Sequence, residues 1–317
     1  MRCFQIAHTA ALRRKSNEVP TNGCYGRAIA RRRAVALGIH VETRRHMTDP
    51  LRKRDGSAGD ADYASIGSVY RNYRVADPRI AAFIHSALGD ARTVLNIGAG
   101  TGSYEPTDRN VTAVEPSATM RDKRPPRLPK AVDAYAERLP FPDHSFDAAM
   151  GTFTVHQWAD LAGGLAEVRR VTRGPVAFLT CDPKLLRTYW LYEYSPEVIA
   201  IEASRYPSIP RLTAGLGGVT RVTSVPIPLD CTDGFNDAYY GRPEMLLDPA
   251  ARLACSAWSF VEPTAVTRFE RHLAADLADG TWEAKHGHLR NQRTLEGSLV
   301  LVVSIPKPRA GGDDDDA

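Results

Sequence analysis

Residues 93–102 read Thr-Val-Leu-Asn-Ile-Gly-Ala-Gly-Thr-Gly, an apolar segment of strand type that stops at three glycines spaced as G-x-G-x-G. In an open α/β sheet, a strand that ends in a glycine turn receives a nucleotide-like ligand at its carboxyl end. Glycine permits positive φ angles and places no Cβ between the backbone and the ligand. The segment therefore predicts an α/β fold with a ligand site at the ends of its parallel strands.

A carboxylate follows the next predicted strand. Residues 111–114 are Val-Thr-Ala-Val, and Glu115 comes directly after them. A carboxylate at this position is placed to accept hydrogen bonds from both hydroxyls of a ribose. The glycine spacing argues against a nicotinamide enzyme, because the dinucleotide fingerprint is G-x-G-x-x-G and Ser103 stands at its third glycine position.

A third motif, AERLPFPDHSFD at residues 136–147, leads into another apolar strand. With the glycine loop and Glu115, this order of motifs resembles the class I S-adenosylmethionine-dependent methyltransferases. The similarity is to the small-molecule branch typified by the ubiquinone/menaquinone-biosynthesis enzymes, the type 11 methyltransferase domain. Specific motifs cover residues 60–182, and looser similarity continues to residue 305. The resemblance implies a Rossmann-like, seven-stranded, mostly parallel sheet with helices on both faces, and S-adenosyl-L-methionine as cofactor.

The resemblance also indicates which positions bind the cofactor. Asn96 stands where many relatives carry an acid for the methionine ammonium, and its amide oxygen can still accept a hydrogen bond. Met120 matches a position that packs on adenine, with ordinary helix–sheet core as an equal alternative. Because Tyr135 replaces a common Asp, adenine recognition is expected from backbone groups. The predicted cofactor-binding residues are Tyr70, Asn96, Gly98, Ala99, Gly100, Gly102, Glu115, Pro116, Met120, Ala136, Glu137, Thr152 and Phe153.

His156 is the candidate catalytic residue. It follows the predicted strand Phe146–Gly151 and forms, with Trp158, a His-Trp pair found in many relatives. Histidine can act as a general base near neutral pH. A structural histidine that orients the following helix is the favoured alternative, because many methyl transfers need no strong base. Trp158 is interpreted as a packing residue rather than a substrate platform.

Local signals predict the elements around these motifs. A helix begins at Pro78 and ends near Gly89, and Ser117 caps a short second helix. Residues 132–135 are expected to form the third strand and residues 161–171 an amphipathic helix. Later strands are predicted at residues 176–180, 221–227 and 299–305, the last antiparallel at the sheet edge. Helices are predicted over residues 249–279, with an interruption near Pro263.

The segment from residue 184 to about residue 220 is too long for a plain crossover and is predicted to be helical. By resemblance, such an insertion covers the substrate pocket, and its aromatic residues could form a hydrophobic acceptor cavity. The alternative is that they form only the core of the insertion itself. These aromatic residues are Tyr189, Trp190, Tyr192, Tyr194 and Tyr206.

Charge is distributed unevenly along the 317 residues. Residues 1–60 contain thirteen Lys/Arg and five Asp/Glu, whereas residues 61–317 contain 28 and 32, so the net charge of +4 belongs to the N-terminal segment. We interpret residues 1–60 as a disordered basic leader and linker, with a transit peptide and a nucleic-acid-binding arm as alternatives. Residues 61–305 are the expected methyltransferase domain, and residues 306–317 a disordered acidic tail.

Composition excludes several classes of protein. The five cysteines are scattered and form no C-x-x-C, which argues against a disulfide framework or zinc site and favours a cytoplasmic location. No apolar run approaches the roughly 18 residues of a membrane span. His286 and His288 lack an evident third ligand, so no metal is expected. The acidic main domain carries no nucleic-acid footprint.

The sequence therefore predicts a methyltransferase that acts on a small organic molecule, with the O, N or C acceptor unresolved. One alternative is methyl transfer to RNA or protein, which only the basic N-terminal segment supports. The other is a cofactor-binding protein that has lost transferase activity, for which Asn96 and Tyr135 are the only indications. The sequence carries no signal of oligomeric state.

Overall fold

The computed structural model describes residues 72–307, which form a six-stranded sheet and a separate two-stranded ribbon. Tyr70, the basic leader and residues 308–317 lie outside the described residues. The strands are β1 (Thr93–Ile97), β2 (Asn110–Val114), β3 (Ala148–Thr152), β4 (Val176–Cys181), β5 (Val219–Ser224), β6 (Ile227–Pro228), β7 (Thr294–Leu295) and β8 (Leu299–Ile305). The sheet has the order β2-β1-β3-β4-β8-β5, in which β1 to β4 are parallel and β8 is antiparallel to both β4 and β5.

Helices surround this sheet, and none of those within residues 72–307 is long and apolar enough to cross a membrane. The α-helices are α1 (Pro78–Ala87), α2 (Ala118–Asp122), α3 (Leu161–Val171), α4 (Leu191–Tyr194), α5 (Pro196–Arg205), α6 (Ile209–Leu216), α7 (Pro249–Leu253), α8 (Pro263–Asp279) and α9 (Thr281–His286). The 3₁₀ segments are Val155–Gln157, Leu186–Thr188, Asn236–Tyr239, Pro243–Leu247, Ser256–Phe260 and Gly287–Asn291.

The capping signals in the sequence define the helix ends as predicted. The Asp77 side chain accepts a hydrogen bond from the Arg79 amide, and Pro78 occupies the first turn of α1. Gly89, just beyond α1, has a φ of +55°. The Ser117 hydroxyl accepts from the Met120 amide and caps α2.

Alternate residues of the central strands pack into different hydrophobic clusters. Val94 of β1 and Leu179 of β4 pack with α1 residues such as Ile84. Their sequence neighbours Leu95 and Phe178 pack instead with α3 residues that include Leu165 and Val168. Because side chains alternate across a strand, the two clusters lie on opposite faces of the sheet. The predicted α/β layering, with helices on both faces, is confirmed.

The prediction of seven strands is wrong for the described residues, which form six in the main sheet. Residues 132–135 provide one parallel bridge, between Val132 and Val114, instead of a strand. The backbone of Val132 bonds to Ala113 and Glu115, and the chain then turns at Tyr135, which pairs with Arg138. A segment this short cannot continue the ladder. The final strand β8 is antiparallel as predicted, but β5 rather than β8 forms the edge.

Candidate active site

A groove of about 840 Å³, partly open to solvent, lies at the carboxyl ends of β1, β2 and β3. This is the position at which open α/β sheets bind ligands. The residues that line it come from the glycine loop, the turn and helix after β2, residues 134–137 and the turn after β3, together with the distant residues Arg74 and Asp233. Ten of the predicted cofactor-binding residues are among them: Gly98, Ala99, Gly100, Glu115, Pro116, Met120, Ala136, Glu137, Thr152 and Phe153.

The first two glycines of the loop differ in the space that a side chain would have. Gly98 has a φ of +64°, and a Cβ there would lie 1.8 Å from the Thr154 hydroxyl oxygen. Gly100 has a φ of +51°, and its Cβ would meet only the terminal methyl of Met120, at 3.4 Å. Met120 itself lines the groove. Gly98 is therefore required for packing, whereas a side chain at Gly100 would point toward the ligand space.

The carboxylate of Glu115 faces the glycine loop. It accepts hydrogen bonds from the amides of Gly100 and Ser117, each at 2.8 Å. Burial raises the pKa of Glu115, and the two amide donors oppose that shift. Each oxygen of a carboxylate has more than one lone pair, so both can accept a further hydrogen bond from a ligand.

A buried network of charged and polar side chains lies next to the glycine loop. Glu105 accepts from Arg124 at 3.0 and 2.9 Å and from the Asn96 amide nitrogen at 3.0 Å. The Asn96 amide oxygen is a buried acceptor without a partner among the described residues. Neither Asn96 nor Gly102 belongs to the lining of the groove. Gly102 is explained by packing instead, because a Cβ there would lie 2.2 Å from Leu128.

The opposite wall contains a charge cluster that the motifs did not indicate. Arg74 Nε donates to Asp233 Oδ1 at 2.5 Å, and the Tyr104 hydroxyl donates to Asp233 Oδ2 at 2.7 Å. Backbone pairing of Arg74 with Asp233 holds the two segments together. Burial and the neighbouring Asp233 carboxylate raise the pKa of Tyr104 far above its ordinary value, so the phenol remains a donor. Nothing in the local sequence signals this contact, which spans 159 positions.

Two residues with strained backbone lie in this wall. Tyr104 has a φ of +64° and Phe153 a φ of +50°, and neither is glycine. Such conformations cost on the order of 1–3 kcal/mol and concentrate at functional sites. The Phe153 amide donates to the carbonyl of Leu179 at 2.9 Å, and the Arg74 guanidinium lies 4.9 Å from the centre of the Phe153 ring. These contacts hold the strained backbone of Phe153 in place and fix its aromatic ring at the end of β3.

His156 does not line the groove. Its ring packs 4.5 Å from that of Tyr206 and lines a second, adjacent cavity. Trp158 does line the groove, but it is also packed against Phe178 and donates through Nε1 to the Thr154 hydroxyl at 3.1 Å. The structure thus separates the two members of the His-Trp motif.

Residues 95–179 match the protein family described as a methyltransferase domain. Similar curated proteins are malonyl-acyl-carrier-protein O-methyltransferases from Halorhodospira halophila, 35% identical over 109 residues, and Erwinia pyrifoliae, 37% identical over 106 residues. Each alignment covers 30% of this chain, which spans only 37% and 40% of those relatives. A solved structure of a methyltransferase assigned to an antibiotic biosynthesis pathway of Anabaena variabilis is 28% identical, with a TM-score of 0.68. That similarity covers 74% of this chain and 99% of the other.

Proposed function

We propose that this chain, which carries a class I S-adenosylmethionine-dependent methyltransferase domain, transfers a methyl group from S-adenosyl-L-methionine to a small organic molecule. The observation that carries the proposal is the carboxylate of Glu115, which faces an open groove beside the Gly98–Gly100 loop. A ribose next to that loop would find an acceptor for its hydroxyls there. The family match over residues 95–179 supports the same cofactor.

The groove residues fit the parts of the cofactor in order. Glu115 would hold the ribose, and the space left by the missing side chain of Gly100 would receive the adjoining atoms. Met120 would pack on the adenine, whose edge would meet the backbone of Ala136 and Glu137. Asn96 does not line the groove, so the methionine ammonium is assigned to no residue. These assignments are part of the proposal.

When bound, the cofactor supplies an electrophilic methyl group on a sulfonium. The protein has to hold the acceptor in line with that methyl at near-attack distance, which can contribute several kcal/mol. Phe153 and Arg74 stand at the end of β3 next to the groove and would exclude water from this region. His156 lies beyond Phe153, and its action as a base stays a prediction.

A small acceptor is favoured over a macromolecule because residues 61–317 carry more acidic than basic residues. The three cysteines of the described region, Cys181, Cys231 and Cys255, are free and buried, which supports a reducing, cytoplasmic location. The names of the curated relatives describe methyl transfer to oxygen on a carrier-bound acyl group, in those proteins. For this chain we propose only the broader class, a small organic acceptor.

Calorimetric titration of the full chain with S-adenosylhomocysteine tests the cofactor assignment. We expect saturable one-to-one binding, and its absence would overturn the proposal. Incubation with labelled S-adenosylmethionine and either a small-molecule panel or bulk RNA then tests the acceptor class. Label in the small-molecule fraction supports the proposal, whereas label in RNA supports the macromolecular alternative. Binding without any transfer would favour the inactive cofactor-binding protein.

A further inference from the structure

A second, narrower cavity adjoins the groove, and its empty space of about 450 Å³ includes solvent at its mouth. Phe153 and Arg74 line both spaces and form the partition between them. Since Phe153 follows β3 at the carboxyl edge of the sheet, the partition lies beside the region in which the reacting methyl is expected. A methyl acceptor must approach from a space next to the cofactor, and this cavity is such a space.

Aromatic rings form much of the cavity wall. Phe153 lies 5.3 Å from Phe235, and His156 lies 4.5 Å from Tyr206, measured between ring centres. All four residues line the cavity. Polar side chains share the lining with these rings, among them Glu202, Asn236 and Ser256. The wall therefore suits a ring-containing molecule that also carries a polar group.

One carboxylate enters this aromatic wall in a fixed hydrogen-bonding arrangement. Glu202, on α5, accepts from the Asn236 amide nitrogen at 2.6 Å. The Asn236 amide oxygen accepts from Trp258 Nε1 at 3.0 Å, which sets the orientation of the amide and leaves its NH₂ for Glu202. Glu202 lines the cavity and keeps part of its surface accessible. Its remaining acceptor capacity is available to a ligand with an N–H or O–H group.

The charges around the cavity favour a donor over an anion. Arg74, the cation in the partition, is paired with Asp233 through two hydrogen bonds. Burial, followed by the charge of Asp237, raises the pKa of Glu202 to about 7, against the opposing effects of Asn236, Arg205 and Arg74. The other titratable groups that face Glu202 are His156 across the cavity and Cys181, Tyr189, Tyr206 and Cys255.

We propose that this cavity binds the methyl acceptor and that Glu202 receives the acceptor's proton. The acceptor is a neutral or cationic ring-sized molecule with a nucleophilic N–H or O–H. The inference rests on the proposed function and specifies its substrate class. The lone pair on the acceptor nitrogen or oxygen, freed by prior proton loss to Glu202 where that atom is cationic, forms a bond to the methyl carbon as the methyl–sulfur bond breaks. The bonding pair stays on sulfur as a thioether, and the acceptor proton passes to the Glu202 carboxylate.

The test uses two ring-sized probes of opposite charge, benzylamine and benzoate, with the full chain saturated with S-adenosylhomocysteine. Ligand-observed NMR measures the affinity of each probe at pH 6 and pH 8.5. We expect benzylamine to bind better than benzoate and to gain about tenfold in affinity at the higher pH, where Glu202 is ionised. Glu202→Gln should remove this gain. Glu197→Gln, on the same helix but partly exposed and in an ion pair with Arg268, should retain it.

Preference for benzoate, or an unchanged pH response in Glu202→Gln, would overturn the inference. The affinity of each variant for S-adenosylhomocysteine shows whether the variant is folded. If Glu202→Gln fails that control, Glu202→Asp serves instead, and it should weaken benzylamine binding while keeping the pH response. Failure of the unmodified chain to bind S-adenosylhomocysteine would count against the proposed function. Normal S-adenosylhomocysteine binding without the probe behaviour would count against this inference alone.

Discussion

The two sides of the active-site region are built in different ways. The strand-end wall, residues 97–137, is built from the glycine loop and neighbouring stretches of sequence. The charged wall, made by Arg74, Tyr104, Asp233 and Glu202, consists of side chains brought together over long sequence separations. The first wall would hold a cofactor common to many enzymes, and the second would face the acceptor. The difference explains why a short motif identifies the cofactor but not the substrate.

The largest effect is expected at the centre of the strand-end wall. Gly98→Ala introduces a Cβ 1.8 Å from the Thr154 hydroxyl at a φ of +64°. A left-handed conformation costs a non-glycine residue about 1–2 kcal/mol, and overpacking adds about 1–3 kcal/mol. Calorimetry should show that affinity for S-adenosylhomocysteine falls by roughly 1,000-fold, because displacement of Thr154 or the loop closes the groove.

Gly89→Ala is the matched control for this change. Gly89 has a φ of +55°, but nothing lies within 4 Å of the added Cβ. Its affinity for S-adenosylhomocysteine should equal that of the unmodified chain, with only a small loss of thermal stability. If Gly98→Ala also keeps its affinity, the loop does not form the cofactor wall.

Glu115→Ala tests the carboxylate of the strand-end wall that accepts from the Gly100 amide of the loop. The change removes the acceptor proposed for two ribose hydroxyls and the partner of the Gly100 and Ser117 amides. Hydrogen bonds to a charged group contribute about 1.5 kcal/mol or more each, so affinity for S-adenosylhomocysteine should fall about 100-fold. The same titration with adenine alone should show little change. A uniform loss for both ligands would mean that Glu115 shapes the loop without contacting ribose.

Glu202→Gln tests the environment of the charged wall through the stability of the protein rather than through ligand binding. The pKa of Glu202 is about 7 in the folded chain, compared with an ordinary value of 4.5. The unfolded chain therefore releases this proton at lower pH, and the free energy of unfolding decreases as pH rises from about 4.5 to about 7. Replacement by glutamine removes that decrease. Between pH 5 and pH 8, urea unfolding should show that the free energy of unfolding of the variant rises relative to that of the unmodified chain. The expected rise is on the order of 2 kcal/mol.

The buried neighbour Asp237 also has a raised pKa, and its contribution has the same sign. Because Asp237 is present in both proteins, the difference between them isolates Glu202, apart from the mutual repulsion of the two carboxylates. Glu197→Gln again provides the control, and its stability difference should not vary with pH in this range. A pH-independent difference for Glu202→Gln would show that Glu202 is not held in a desolvated position.

Sequence patterns predicted the strand-end wall because its geometry follows from local rules. The strand at residues 93–97 and the helix at residues 161–171 have the predicted bounds, and the turn glycines lie where their φ angles require them. The missing seventh strand shows the limit, because one bridge at Val132 cannot be told from a short strand by composition. The assignment of Gly102 to the cofactor took no account of Leu128, a tertiary neighbour.

Sequence patterns could not predict the charged wall, because its residues meet only through tertiary packing. Asp233 belongs to no motif, and its pairing with Arg74 depends on how two distant segments meet. Glu202 lies on a helix whose other residues gave no sign that one carboxylate faces a cavity. His156 was singled out by its position after β3, but whether it faces the groove or the second cavity depends on packing against Tyr206.

Tyr104→Phe is the smallest change and concerns the one residue that joins both walls. Tyr104 follows the glycine loop, accepts at its carbonyl from His85 Nε2 at 3.0 Å, and donates from its hydroxyl to Asp233. The variant keeps the ring and loses one hydrogen bond to a carboxylate, which is worth about 1.5 kcal/mol. Affinity for S-adenosylhomocysteine should fall by about tenfold, whereas Tyr192→Phe, at an exposed site, should leave it unchanged. Loss comparable to that of Glu115→Ala would mean that the charged wall also binds the cofactor, and the division of roles between the two walls would be wrong.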